Sequence, residues 1–182
     1  MVTELVWASA PVYPHVVRVY VPVTLAMLQA LVVDGSLHAR SGTAFAVTPT
    51  LRESYAKGDD DELAEVALRE AAMASLRLLA IEGPESGFPV RRAVLVADVA
   101  DATDRPDLDD AVVRLAGPVA MSDVIAAYVD NASAEPAVAA AVEVIDDADL
   151  GDEDAELTVG DAQDHDLAWY ATQELAFLLE LL

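Results

Sequence analysis

Residues 93–97, Ala-Val-Leu-Val-Ala, form an unbroken apolar run that stops at Asp98. A short run of this kind is typical of a strand that is buried on both faces. Two other segments have strand character: the β-branched run 16–21, which Pro22 follows, and residues 43–47. Together the three runs predict the centre of a β-sheet.

Helix signals separate the first strands. Thr24 stands at an N-cap position and Gly35 where a helix would end, so a helix is predicted to follow the first strand. Thr48-Pro49 has the pattern of an N-cap with proline at the first helical position. The sequence therefore alternates strand and helix over its first third.

A longer helix is predicted from the acidic run 59–62 to about Ala80. Acidic side chains in a first turn are stabilised by the positive end of the helix dipole. Glu65 precedes Arg69 by four positions, the favourable order for an ion pair on a helix. The acidic run 59–62 is therefore interpreted as the start of a helix, which requires no functional role for it.

The second half is predicted to contain strands at 112–115 and 125–129 and an Ala-rich helix from Ser133 to Ile145. Residues 146–156 are interpreted as a solvated acidic connection, and Leu157–Val159 as a short edge strand. A last helix is predicted to begin near Asp164 and to run to the final residue. Its apolar stripe predicts that this end of the chain is docked on another surface, whether of this chain or of a partner; the stripe consists of Leu167, Ala171, Leu175, Leu178 and Leu182.

These elements predict an α/β or α+β fold, a single layered domain over residues 16–182. We expect a mixed sheet of about five to six strands with about four helices. Residues 1–15 contain Pro11 and Pro14 and are interpreted as a flexible or peripheral extension. The apolar run before Ala8-Ser9-Ala10 is not taken as a signal peptide, because it holds Glu4 and no early Lys or Arg.

The charge is very unevenly distributed. The net charge of -23 comes from 33 acidic and 10 basic residues, and residues 115–182 hold 16 of the acids and none of the Lys or Arg. Binding to a nucleic acid backbone depends on basic residues, so direct nucleic-acid binding is not expected. No apolar run reaches the roughly 20 residues of a membrane helix, and cysteine is absent. We expect a cytoplasmic protein with no membrane contact.

No cofactor or metal motif is present. The chain contains no phosphate loop, dinucleotide glycine fingerprint, nucleophile elbow or zincin histidine pair. His15, His38 and His165 are scattered, and the acidic loops 98–110 and 147–156 lack the spacing of an EF-hand. We therefore predict neither a metal site nor a cofactor.

Asp98 is a candidate site residue, because ligands of open α/β sheets lie beyond the carboxyl ends of strands. An aspartate that caps a turn is the alternative interpretation. The densest cluster of polar and aromatic residues is 164–174, where His165, Trp169 and Gln173 would share one face of the predicted last helix, with Asp164 at its start. That face is a candidate binding surface; the alternative is that Trp169 packs in the core and His165 is only solvated.

Four segments resemble an uncharacterised actinobacterial family of small acidic proteins: 19–22, 48–55, 114–119 and 164–175. The closest match is His-Asp-Leu-Ala-Trp-Tyr-Ala-Thr-Gln-Glu at 165–174. The resemblance covers about residues 16–182. It implies a compact domain of bacterial cytoplasmic origin and no catalytic residues to transfer.

The sequence leaves three functions open. The first is a non-catalytic protein-interaction or regulatory module whose acidic C-terminal half meets a protein partner or a second copy of the chain. The second is a small hydrolase or small-molecule-binding enzyme in which His165, Asp98, Arg52 and Tyr55 converge. The third is a nucleic-acid mimic that binds a DNA-binding protein through spaced carboxylates.

Overall fold

The computed structural model describes residues 15–182, so the predicted extension lies outside the described residues except for His15. Within this range are six α-helices and nine strands. The strands are β1 Val17–Val23, β2 Ser36–Leu37, β3 Thr43–Phe45, β4 Ala93–Val99, β5 Ala102–Asp104, β6 Val112–Leu115, β7 Val119–Ala120, β8 Val124–Val129 and β9 Ala168–Ala171. The helices are α1 Leu25–Asp34, α2 Pro49–Ser54, α3 Asp60–Glu82, α4 Glu135–Asp149, α5 Glu153–Gln163 and α6 Leu175–Glu180. None of these helices is both long enough and apolar enough to cross a membrane.

Seven strands form one sheet in the order β5-β6-β3-β1-β4-β8-β9, and β2 pairs with β7 in a separate ribbon. The layered combination of helices and strands is confirmed, but five to six strands and about four helices were too few. The expected mixed sheet is wrong, because every strand pair in residues 15–182 is antiparallel. The run 93–97 is apolar throughout because helices cover both faces of the sheet, a pattern usually associated with parallel strands.

The two faces of the sheet bury different sets of side chains. Val19 and Val21 of β1 point to the face covered by α1 and α6. Tyr20, between them, points to the opposite face, where α3 packs. Helix α4 packs against both α3 and α5, around a third apolar cluster that includes Leu76 and Ile145. The result is three layers, with the sheet in the middle.

The helix starts predicted in the first half are confirmed. The Thr24 hydroxyl accepts from the Met27 N–H at 3.2 Å, and Gly35 ends α1 in the left-handed conformation at φ 80°. Thr48 caps α2 with Pro49 in its first turn. Asp59 and Glu62 form a reciprocal capping box at the start of α3, and Arg69 bonds Glu65 at 2.8 Å.

The structure corrects the second half of the chain between 133 and 163. Helix α4 begins at Glu135 after a 3₁₀ turn, without a side-chain cap from Ser133, and continues to Asp149. The predicted acidic connection and the strand at 157–159 are wrong, because α5 occupies Glu153–Gln163 and Asp152 caps it. Three acids in the first turn of α5 are favourable for a helix, and its buried face is built mostly of small residues that give a weak pattern.

The last predicted helix is also wrong in its extent. Residues 168–171 form β9, a 3₁₀ turn follows at Thr172–Glu174, and α6 begins only at Leu175. The docking of the chain end is confirmed, since Leu175 and Leu178 are buried and Leu182 packs against the same cluster. Leu167 lies in the connection before β9, and Ala171 is the last residue of β9. Their four-residue spacing from Leu175 is therefore a coincidence and does not reflect one helix.

Candidate functional site

The candidate face built from His165, Trp169 and Gln173 does not exist as a helical face. His165 lies in the connection after α5, Trp169 lies in β9, and Gln173 lies in the 3₁₀ turn. Asp164 stands at the C-terminal end of α5, where its N–H bonds the Gly160 carbonyl at 3.0 Å. The four residues are therefore distributed over three local structures.

Two of them, Asp164 and His165, line a cleft of about 830 Å³ between the sheet and the first half of α3. Tyr20 of β1 and Tyr128 of β8 contribute side chains from the sheet. Asp61, Glu65 and Arg69 contribute from α3, and the connection after α5 closes the third side with Gln163, Asp164, His165, Asp166 and Leu167. Three separate parts of the chain thus meet at this cleft.

A buried ion pair holds that connection in place. Arg92, just before β4, donates from Nε to Asp130 Oδ2 at 2.9 Å and from Nη2 to Asp130 Oδ1 at 2.8 Å. The Arg92 N–H also donates to Asp130 Oδ2 at 2.7 Å, and Nη2 bonds the His165 carbonyl at 2.9 Å. The two side chains are 3% and 0% exposed. Arg92 therefore fixes the residues after α5 to the ends of β4 and β8, although sequence reasoning assigned it no role.

Tyr20 is the most deeply buried polar side chain that reaches the cleft without a bonding partner. It is 9% exposed, and its hydroxyl makes no hydrogen bond to any residue in the described range. Burial is the main cause that raises its pKa above the usual 10.0, with a smaller contribution from the neighbouring Tyr128. Tyr20 lines the cleft, and its hydroxyl is open to solvent there.

A second cleft of about 490 Å³ contains two of the other candidate residues. Asp98 and Arg52 both line it, and Tyr20, Asp61 and Ala64 are shared with the larger cleft. Asp98 lies inside β4, opposite Arg18, rather than at the exit of the strand.

Each of these two charged candidates has an ion-pair partner. Arg18 holds Asp98 through two hydrogen bonds of 3.0 and 3.2 Å. Arg52 is paired with Asp60. Tyr55 follows α2 and lines neither cleft. Asp98 and His165 consequently line different clefts, and the Asp98 carboxylate is engaged by Arg18.

The open edge of the sheet lies beside the larger cleft. Trp169 is directly opposite Tyr128 in the β8–β9 register, so both side chains lie on the face that α3 covers. Trp169 is 57% exposed, and β9 pairs only with β8 among the strands of residues 15–182. The aromatic pair Trp169-Tyr170 has the β-propensity of a strand, and this was the signal that could have revealed it.

No group of three or more His, Cys, Asp or Glu side chains within residues 15–182 is arranged to hold a metal ion. The acidic residues of α5 and those in and around β5, from Asp101 to Asp109, are exposed.

Comparison with known proteins gives a family and no activity. The model of a family described as a family of unknown function, DUF6912, matches residues 17–179. The chain belongs to this family. No curated protein and no solved structure matches the chain. The DUF6912 match runs from the start of β1 into α6, so it includes all of the residues that line the larger cleft and the β9 edge.

Proposed function

We propose that this DUF6912 chain is a non-catalytic protein-interaction module, and that its partner is a basic, extended segment that adds to the sheet at β9. The observation that supports this most directly is the open β9 edge with Trp169 exposed on it. An extended peptide can bind such an edge by main-chain hydrogen bonds, with side-chain contacts giving selectivity.

The backbone of β9 has groups free to bind. The Ala171 N–H donates to the Glu174 carboxylate at 2.8 Å, so it does not point into the ladder with β8. Because N–H and C=O groups alternate in direction along an antiparallel strand, those of Trp169 also face the open side. The opposite edge strand, β5, has only three residues and no aromatic side chain.

The surrounding charge selects a basic partner. Asp164, Asp166 and Glu174 flank β9, and no Lys or Arg follows Arg114 in the chain. Opposite potentials steer association and exclude partners of the wrong sign. A second copy aligned edge to edge would bring these same carboxylates together, so the charge disfavours a homodimer through β9.

The enzyme alternative has less support. Its two central residues, Asp98 and His165, line different clefts, and Asp98 is bonded to Arg18. The nucleic-acid mimic predicts carboxylates on one extended face, whereas the edge strand and its tryptophan have no role in such mimicry.

Binding of a peptide in which Lys alternates with Val or Thr tests the proposal. We expect it to bind, to protect the Trp169 amide from hydrogen exchange, and to weaken as salt rises. A peptide of the same pattern with Glu in place of Lys should not bind. Trp169→Pro, which removes both the ring and the outward N–H, should abolish binding.

Asp104→Pro on β5 is the matched control, because the Arg105 N–H donates into the ladder to Val112, so the Asp104 N–H faces the open side of the other edge strand. Equal binding by Trp169→Pro and by Asp104→Pro would show that β9 is not the docking edge. Binding of the Lys and Glu peptides with similar affinity would contradict the role of charge.

A further inference from the structure

We propose that the larger cleft is a binding site for a primary ammonium or guanidinium group, seated against Tyr20 and Tyr128 and held by the carboxylates of Asp61, Asp164 and Asp166. The inference does not depend on the β9 edge, since none of the lining residues belongs to β9.

The first support is the unpartnered hydroxyl of Tyr20. The Tyr20 residue is 9% exposed, and its hydroxyl has no partner within residues 15–182 and is open to solvent, so a ligand can reach it from the cleft. A ligand N–H donor would supply that partner, because a phenol oxygen accepts as well as donates.

The second support is the balance of charge in the cleft. Its lining contains four carboxylates and two guanidinium groups. Arg92 is neutralised by the buried Asp130, and Arg69 is paired with Glu65 at 2.8 Å. Asp61, Asp164 and Asp166 have no ion-pair partner in the described part of the chain. The charge that remains unpaired is therefore negative and favours a cation.

The aromatic rings give the site a preference among cations. Tyr20 and Tyr128 come from β1 and β8 and both face α3. A cation close to a tyrosine face gains a further attraction, more so where water is excluded. Organic ammonium and guanidinium groups can use the ring faces and the carboxylates together, whereas a small hydrated metal ion uses mainly the carboxylates.

The geometry of the cleft is held before any ligand binds. Arg92 bonds the His165 carbonyl at 2.9 Å, which fixes the backbone between Asp164 and Asp166. Asp61 lies in the first turn of α3, which the Asp59–Glu62 capping box orders. Carboxylates on ordered backbone lose less freedom when they bind, which increases affinity.

The cation has two possible sources, a free amine or a basic side chain of a bound protein. Titration with N-acetyl-arginine amide, N-acetyl-lysine amide and spermidine measures the first. The alternating Lys peptide measures the second. Calorimetry gives the affinities, and ¹⁵N shifts of Tyr128 and Asp166 show whether the cleft is occupied.

We expect Tyr20→Phe to weaken binding by about tenfold, as the loss of a hydrogen bond to a charged group does. The double variant Asp61→Asn with Asp166→Asn should abolish it. The matched control is Glu156→Gln with Asp161→Asn, which removes two exposed carboxylates from α5 outside the cleft. Trp169→Pro should leave the binding of the free amides unchanged, so failure of this site is distinguishable from failure of the β9 edge.

Binding of the free amides with loss in the cleft variants would establish the site with a free amine as its source. Binding of the peptide alone would establish it only if Tyr20→Phe also weakens that binding, and peptide binding that Tyr20→Phe leaves unchanged would overturn it, because Asp166 also flanks β9. The proposal is overturned if none of the four probes binds. It is also overturned if the two double variants weaken binding equally, because that result would mean attraction by net charge only.

Discussion

The Asp130→Ala variant tests how much of the stability depends on the buried ion pair. The substitution leaves the Arg92 guanidinium, 3% exposed, without its counter-ion, and it removes the acceptor of three hydrogen bonds of 2.7, 2.8 and 2.9 Å. Removing one member of a buried pair generally costs about 3–5 kcal/mol, because the remaining charge stays desolvated. A domain of this size is stable by about 5–15 kcal/mol, so a loss at the upper end approaches global unfolding.

Urea unfolding followed by circular dichroism measures this loss. Asp149→Ala is the matched control, because Asp149 also accepts two bonds from one arginine, Arg77, at 2.8 and 2.9 Å. The side chains of that pair are 46% and 42% exposed, and such a surface pair contributes under about 1 kcal/mol.

Two additional variants separate charge from packing. If Asp130→Ala proves too unstable to purify, Asp130→Asn retains the shape of the side chain and should lose less. The double variant Arg92→Met with Asp130→Ala should be more stable than Asp130→Ala alone, because no unpaired charge remains. A loss in Asp130→Ala no larger than that in Asp149→Ala would refute the reasoning.

Two other predictions concern the buried residues Tyr20 and Ser75. Burial raises the pKa of Tyr20 above 10.0, so the folded state should lose stability as the pH rises from about 10 toward the pKa of the folded state. Tyr20→Phe should reduce this loss, whereas Tyr55→Phe, at an exposed position, should not. Unfolding measured between pH 9 and about 11.5 tests this. The buried Ser75 hydroxyl donates to the Val23 carbonyl at 2.7 Å and accepts from the Ala93 N–H at 3.0 Å. Ser75→Ala should therefore lower the free energy of unfolding by about 1–3 kcal/mol, as measured by thermal unfolding. Ser122→Ala, at an exposed position, should change it little.

The first half of the fold was predictable because its signals are local. Thr24 begins α1, Gly35 ends it, and the Asp59–Glu62 capping box begins α3. Each acts through hydrogen bonds to residues no more than four positions away, so the pattern is visible in the sequence. The run 93–97 also identified its strand, though not its antiparallel pairing. A strand that is buried on both faces is apolar throughout, so its sequence does not indicate which strands it pairs with or in which direction.

The segment 146–174 was mispredicted because its signals conflict. The acids of α5 are as typical of a solvated loop as of a helix start, and its buried residues Ala155, Val159 and Ala162 are small. In the last part of the chain, Leu167, Ala171 and Leu175 keep a spacing of four residues although they belong to a connection, a strand and a helix. Residues 168–171 form β9 because they pair with β8, so the helix predicted from Asp164 does not form there.

The candidate sites were predictable only in part, because their contacts join distant positions. His165 was identified as a candidate, but its neighbours Tyr20 and Arg92 come from β1 and from the start of β4. Asp98 was identified without Arg18, its partner 80 positions earlier. No spacing rule in a single sequence indicates such pairs.

The position of β1 has a consequence for how the chain acquires its structure during synthesis. Among the strands of residues 15–182, β1 is the first to be synthesised, yet its long partner is β4, with Val17 opposite Val99. The central ladder therefore cannot close until the chain has emerged as far as Val99, and the face under α1 stays uncovered until α6 arrives. Folds dominated by such distant pairings take milliseconds to seconds to form, longer than folds built from local contacts. A nascent chain of this protein therefore carries the valine-rich β1 without its β4 partner until Val99 has been synthesised.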